Sequence, residues 1–480
     1  METADMNRDY DVIIVGGGGA GMSAAIEAHD AGASVALIEA DVRLGGSTAL
    51  SGGVYYAAGT SVQRAKGIED DTSDAMFEYY MTLNQYRVEP SLARTLSDNA
   101  APGLEWLIGT GVEFTPGSLY SSGVESVARG HAATGNGAAI AEALDQEVRR
   151  RNIDVALKTR VQQLQTNRDN GSVTGVTVGD TVIQSGAVVL TTGGFGANPD
   201  FIARYYPEAA AHGDWVWYIG NSNCIGDGLV LGEQAGAEIV AHNRGLLLTT
   251  PNFRKELEVY VPGWIVYVNR EGSRFVNELA EYAVMSGCVN AQTGGSCFAI
   301  FDETTRLEAK PDPLYADLFA SGMVSPNWVS DVLEEQAKAG KIIVADTLQQ
   351  LAQKAGIRPG ALQTTVDEYN ADCDSGTDTR FFKTASVMKP VRTPPFYAAE
   401  IRPAIVCLTS TGVRIDTKAQ AIDGQGLVIE GLFAAGETAG GVLGERYIGG
   451  GNSIANAIVF GRIAGENAAN QARRSAPTNT

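Results

Sequence analysis

Residues 11–15 (DVIIV) form a short apolar run without alternation. Five residues are too few for a helix, and an unalternating run predicts a parallel strand covered on both faces. The signature recurs in SVALI at 34–38, AVVL at 187–190 and GLFAA at 431–435, each closely followed by an acid or a glycine turn. Between the first two runs lies a small, helix-prone stretch, so the opening reads as strand, turn, helix, strand. Residues 137–151 have helical spacing with charge gathered at the end. Residues 154–186 alternate β-prone stretches around Asn170-Gly171, which predicts a small meander. Within 347–376, Thr347 and Pro359 mark the starts of two helices, and the polar stretch beyond Ala468 predicts a frayed tail. No internal repeat is present.

The first strand runs directly into Gly16-Gly17-Gly18-Gly19-Ala20-Gly21, which fits G-x-G-x-x-G. In such a turn Gly16 permits the bend, Gly18 lets the backbone approach a pyrophosphate, and Gly21 lets helix and strand pack closely. Glu39 follows Gly21 by 18 residues, near the ~20 expected of a carboxylate that binds a ribose 2′-hydroxyl. An acid there disfavours a 2′-phosphate. Residues 44–53 (LGGSTALSGG) set small residues and hydroxyls where a long cofactor would pass. Three glycine-ended strands spread over the chain imply one extended cofactor touched by distant segments, and FAD is the cofactor expected.

A chain of 480 residues exceeds what one core usually fills, so two domains are expected. Lys plus Arg number 36 against 56 Asp plus Glu, a net charge of −20, which repels nucleic acid and anionic lipid. No run approaches the ~20 apolar residues of a membrane helix. Residues 1–10 are charged and polar without a leader's apolar segment, so a cytoplasmic protein without membrane insertion is expected. The five cysteines are odd in number and lack a C-x-x-C pair, which disfavours a disulfide framework, a zinc ribbon, attached haem or a redox dithiol. They read instead as small buried hydrophobes. The four histidines have no metal-ligand spacing; His131 is placed in a loop before the Gly135-Asn136-Gly137 turn. A G-x-S-x-G elbow is missing.

Taken together, the glycine fingerprint, GGSTALSGG, RNIDVALKTRV, VVLTTGGFGAN, GDGLVLGEQAGA, VNREGSRFVNE, GLFAAGETAG and GGGNSIANAIVFGRIAG resemble the flavoprotein superfamily of fumarate reductases, succinate dehydrogenases and 3-ketosteroid dehydrogenases. The likeness covers nearly the whole chain. It implies an α/β fold: a discontinuous Rossmann-like FAD-binding domain at 1–242 and 384–480, with an inserted α+β capping domain at 243–383 that closes substrate against the flavin. Carried across by motif, Gly16, Gly18, Ala20, Gly21, Glu39, Gly46, Ser47, Ser51, Gly53, Val161, Asp227, Glu437, Ser453 and Ile454 would contact FAD. Members that attach FAD covalently carry His in the segment matching GGSTALSGG; none stands here, which implies noncovalent FAD.

Fumarate reductases of this superfamily hold a dicarboxylate with Arg and His side chains. Their proton-donating Arg follows R-F-x-N-E, and here Arg274-Phe275-Val276-Asn277-Glu278 leads to Tyr282 at that place. A second Arg precedes G-G-N, where Ile448 stands, and the His segment reads Ile405-Val406-Cys407-Leu408. Desolvating a dianion without a cationic partner costs several kcal/mol. The replacements resemble 3-ketosteroid 1-dehydrogenases, in which a Tyr at the place of Tyr282 is the base and a Y-x-G-x-G segment, here Tyr447-Ile448-Gly449-Gly450-Gly451, binds the ketone oxygen. Tyr447 and the Gly451 N–H would stabilise enolate charge, Tyr282 would move the α-proton, and Tyr120 would lower the Tyr282 pKa. The 4-dehydrogenases carry a Ser where Gly449 stands.

The expected activity is FAD-dependent introduction of a C=C bond beside the carbonyl of an apolar cyclic ketone, a 3-ketosteroid or a cyclohexanone. Without haem or iron–sulfur cysteines, or a second dinucleotide fingerprint, electrons pass to a separate quinone, dye or protein. Two alternatives stand beside it. One is an ene-reductase of a conjugated acid anchored by Arg244, Arg254 or Arg446; the other is a flavin carrier of electrons with no substrate of its own.

Overall fold

The computed structural model describes residues 8–257, 261–313, 316–320 and 324–474. It divides into two compact units, one of residues 1–208, 220–246 and 407–480, the other of 209–219 and 247–406.

In the first unit the predicted apolar runs form the strands Tyr10–Val15, Val35–Ile38, Thr181–Leu190 and Val428–Ala434. Their order in the sheet is 420–422, 428–434, 181–190, 10–15, 35–38, 154–156. From 428–434 to 154–156 all neighbours are parallel. Residues 12–15 and 187–190 are buried, as expected for strands covered on both faces. The three glycine-ended strands are therefore adjacent, and their turns line one sheet edge, where open α/β sheets bind ligands. The strand Asp154–Ala156 joins this sheet beside Val35–Ile38. Only Gln163–Thr166, Val173–Val178 and Thr181–Leu190 make the antiparallel meander expected of 154–186.

Two helices cover the sheet. Gly19–Asp30 follows the glycine turn, and Asn452–Arg474 packs along it. Their contact is close because both sides are small: a Cβ on Gly461 or Gly465 would come within 2.4 or 2.1 Å of the carbonyl oxygens of Ala20 or Ala24. The tail expected to fray after Ala468 is helical to Arg474, with Ala468, Ala469 and Ala472 buried. Ala472 lies against Gly186, and its carbonyl accepts from the Arg8 guanidinium. His131 is likewise not in a loop: it lies in the strand Gly130–Ala133, buried, between Val54–Tyr56 and Phe114–Tyr120. Its Nδ1 donates to the Arg129 carbonyl at 2.8 Å and its Nε2 meets Thr60 Oγ1 at 2.8 Å. Burial lowers its pKa, so a neutral imidazole braces this sheet.

The second unit is built on Phe396–Thr409, which pairs antiparallel with Cys297–Asp302 and Ile342–Ala345 and parallel with Trp217–Tyr218. Here lies the difference from the boundaries expected at 243 and 383. The strand pairs with this unit's other strands through Ile401 and Val406, so the chain leaves the unit inside the strand at 406, and 209–219 join it through the short strand at 217–218. The helices predicted within 347–376 are Leu348–Ala355, capped by Thr347, and Pro359–Ser375, opened by Pro359.

Candidate functional site

Within the first unit the FAD-binding residues predicted by motif lie along one connected path. At one end, Glu39 accepts from the Gly17 N–H at 2.5 Å and from the Asp41 N–H at 2.6 Å. The Thr159 N–H donates to the Glu39 carbonyl, which places Val161 near this end. Asp227 opens a helix nearby and pairs with Arg160, which also holds Asn223. Burial pushes the Asp227 carboxyl up, opposed by Arg160.

The glycine turn comes next. Gly16 has φ +103°, and a Cβ there would sit 2.4 Å from the Thr191 carbonyl oxygen; on Gly21 it would sit 1.8 Å from the Gly16 carbonyl oxygen. Both glycines are required by the protein's own packing. Gly18 is different. It precedes the helix Gly19–Asp30 in extended conformation, and a Cβ on it would meet nothing within 4 Å. The space above Gly18 is a cradle at a helix N-terminus, suited to a pyrophosphate. Gly18→Val is therefore expected to leave the melting temperature of the FAD-free protein unchanged while weakening FAD binding at least tenfold, about 1.4 kcal/mol, by fluorescence titration.

Gly46 lies against Gly18, and Ala20 meets Gly436. Ser47 Oγ accepts from the Asn221 N–H at 3.0 Å, and Ser51 bonds the Thr48 carbonyl and the Gly53 N–H. Gly53 has φ +68° and touches the backbone of Asn136, while Gly451 touches that of Val54. The path thus reaches the helix Asn452–Arg474, whose first turn holds Ser453 and the buried Ile454. Glu437 lies beside Gly194; its Oε1 accepts from the Thr409 N–H at 2.7 Å and hydroxyl at 2.8 Å. Burial raises its carboxyl pKa, opposed by these bonds. The Thr192 hydroxyl and the Asn452 side-chain oxygen are buried without a hydrogen-bond partner. An open glycine cradle, a terminal acid and orphaned polar atoms on one path fit FAD.

The 447–451 segment is held by residues that sequence reasoning missed. Tyr79 donates to the Ile448 carbonyl at 2.8 Å, and Ser122 takes the Gly450 N–H on its own carbonyl while its hydroxyl donates to the Gly450 carbonyl. Tyr120 ends the strand two residues before Ser122, its side chain exposed. The Tyr447 hydroxyl receives the Ser453 N–H at 3.0 Å and meets Ser453 Oγ at 3.0 Å; the Gly451 N–H faces the same oxygen. The Gly451 N–H expected to meet a substrate oxygen is thus turned toward the phenol. Burial pushes the Tyr447 pKa up to about 12, against the Ser453 bonds, so it is protonated at neutral pH, a donor and not a base. Ile448 is fully buried. Arg244 donates to the Arg87 carbonyl at 3.1 Å, and Arg446 is exposed.

In the second unit Tyr282 begins the helix Tyr282–Asn290, capped by Glu281 through the Ala283 N–H, with its side chain 39% exposed. The R-F-x-N-E motif before it is a buried clamp. Arg274 bonds both Glu278 and Asp378, and the Lys383 ammonium joins Glu278 at 2.9 Å. Asn277 bonds the Phe381 carbonyl and the Leu279 N–H. Arg254 pairs with Glu335 at 3.5 Å. The five cysteines are free, with Cys224 and Cys297 buried. Among the described residues no metal-binding cluster is found and no helix is long and apolar enough to cross a membrane.

The family described as FAD binding domain matches residues 11–454. The chain belongs to it. It is 34% identical to a fumarate reductase (cytochrome) of Shewanella frigidimarina, over 97% of this chain and 78% of that protein. It is 28% identical to the vinyl phenol reductase of Lactiplantibacillus plantarum, over 97% and 98%. The crystal structure of a 3-ketosteroid Δ4-(5α)-dehydrogenase from Rhodococcus jostii RHA1 superposes with a TM-score of 0.78 at 25% identity, covering 97% of this chain and 98% of that one. The protein is thus an FAD-dependent oxidoreductase of a family that acts on carbon–carbon bonds, with the α/β fold the motifs implied.

Proposed function

We propose that this protein is an ene-reductase that hydrogenates a C=C bond conjugated to a neutral carbonyl, of which an α,β-unsaturated cyclic ketone is the simplest case. The observation that carries this reading is Ile448, buried at the place where fumarate reductases hold a substrate-binding Arg. A dicarboxylate brought beside that position would lose its hydration without a cation to replace it. Reductases named for fumarate and for a vinyl phenol stand among the relatives. They support the reducing direction in place of the dehydrogenation expected from the active-site pattern, and the second of them shows by its name that the family reaches beyond dicarboxylates.

FAD, when bound and reduced by a separate electron donor, would supply the hydride for the β-carbon. The protein's residues do the rest. Tyr447 is a protonated phenol that receives a backbone N–H, which polarises its own O–H toward a carbonyl oxygen gathering negative charge. The helix that begins at Asn452 adds the positive end of its dipole to the same place. Tyr282 is assigned the α-proton, as a donor in this direction.

Dehydrogenation of the saturated ketone is the second reading, favoured by the Tyr447-x-Gly-x-Gly segment. The same donors stabilise the same enolate in either direction, so the potential of the electron partner decides which runs. An anaerobic assay driven by reduced methyl viologen tests the proposal with 2-cyclohexen-1-one, 2-cyclopenten-1-one and fumarate. Viologen oxidation by the neutral substrates, with fumarate slower by at least 100-fold, about 2.7 kcal/mol, is expected. Faster turnover of fumarate would overturn the reading. Dye reduction by cyclohexanone with the viologen arm silent would establish the dehydrogenase direction.

A further inference from the structure

A second cleft of about 600 Å³ opens in the first unit, lined by the 86–92 turn, residues 240–244, 414–416 and Gly440–Gly441. It shares no residue with the predicted FAD set. Three arginines line it, Arg87, Arg244 and Arg414, in a chain whose net charge is −20. Two acids also line it, and both are engaged by the fold. Glu89 caps the helix Pro90–Gly109 through Ser91, and Asp416 accepts the Lys418 and Gln420 N–H groups. Arg414 pairs with Glu238 at 2.6 Å and Arg87 with Glu445 at 3.3 Å, both at exposed positions. Arg244 has a neutral backbone carbonyl as its acceptor, with the Glu89 and Asp416 carboxylates in the same lining.

One aromatic residue, Tyr86, also lines the cleft. Tyr86 is 73% exposed, although a phenol ring gains by burial. Its backbone is held at φ +60° after Gln85 at φ +52°, and Ala241 across the cleft has φ +60°. Non-glycine residues persist there only when their surroundings impose it. Backbone bonds hold the turn, from the Tyr86 N–H to the Met81 carbonyl at 2.9 Å and from the Arg87 N–H to the Asn84 carbonyl at 2.9 Å. The turn thus presents an exposed tyrosine beside three arginines, in a volume within the range of small-molecule sites. Gly440 stands three residues past Glu437, so chain length alone keeps the cleft floor within about 11 Å of the Glu437 Cα.

We propose that this cleft binds a planar ring carrying phosphate, a small molecule of the mononucleotide class: Tyr86 stacks on the ring and Arg244, with Arg87 and Arg414, holds the phosphate. Isothermal titration of the FAD-saturated protein with FMN, ADP and inorganic phosphate at low salt tests it. One saturable site is expected for FMN or ADP, at least tenfold tighter than for phosphate and weakening with salt. The tighter of the two nucleotides distinguishes a redox mononucleotide from an adenine nucleotide as the source. R244Q is expected to weaken the nucleotide at least tenfold, and Y86A to bring it near the affinity of phosphate alone. Absence of saturable heat with both nucleotides would overturn the proposal. So would nucleotide binding no tighter than phosphate, or binding that both variants leave unchanged. Should R244Q lose FAD, R414Q at the exposed rim carries the same test.

Discussion

Tyr447→Phe is expected to keep FAD bound and the fold intact while turnover of a conjugated ketone falls by ~10²–10³-fold. The expectation rests on what the hydroxyl does in the structure. Its oxygen receives the Ser453 N–H, and the Gly451 N–H faces it, so on the proposed function both backbone groups would reach substrate through this one atom. Removing it disconnects the pair from the developing oxyanion, which corresponds to losing one preorganised donor, about 2.7–4 kcal/mol in the barrier. The loss should fall on kcat more than on KM, because the charge exists in the transition state and not in the ground-state ketone. A phenol held near pKa 12 also predicts no inflection from this residue between pH 6 and 9. Its signature is then distinct from that of Tyr282→Phe, which removes the proposed proton-transfer group and should alter the pH profile. Unchanged turnover in Tyr447→Phe would remove the hydroxyl from the mechanism.

Much of the cofactor path was legible in the residues because it is built from local rules. A G-x-G-x-x-G after an unalternating strand needs only the chain's own geometry, and Gly16 and Gly21 meet backbone atoms that would exclude a Cβ. Parallel strands buried on both faces announce themselves as apolar runs. What stayed illegible depends on contacts between distant parts of the chain. Tyr79 and Ser122 hold residues 448 and 450 across more than 300 positions, and no spacing rule connects them. The Gly135-Asn136-Gly137 turn soon after His131 is the local signal that predicts a loop there. Cross-strand pairing with Tyr55 and Leu119 overrides that local signal. The tail misled in the opposite sense: its polar residues face outward, while three alanines carry the buried face of the last helical turns.

The R-F-x-N-E motif forms a buried ion cluster within the second unit, and Arg274→Met tests its role as a clamp. The substitution is expected to destabilise the second unit by ~3–5 kcal/mol. Arg274 is nearly inaccessible and bonds two equally inaccessible carboxylates, Glu278 and Asp378, while its guanidinium lies over Tyr369 and Phe381. Methionine would fill much of the volume yet leave two buried anions with Lys383 as the remaining cation of the cluster. Burial alone would raise the Asp378 carboxyl; the Arg274 bond and backbone N–H groups of Lys383 and Phe381 more than reverse this and hold it well below the usual carboxylate range. A carboxyl depressed in the folded state contributes fully above its unfolded value near pH 3.9 and loses that contribution as pH falls. The gap between native and variant should therefore be widest near neutrality and narrow on acidification below about pH 4. Urea unfolding followed by tryptophan fluorescence reads this unit, since Trp215, Trp217, Trp264 and Trp328 lie in it and Trp106 alone lies in the other. A variant within 1 kcal/mol of native at neutral pH would mean the clamp is dispensable, and the motif's place before Tyr282 would need another physical cause.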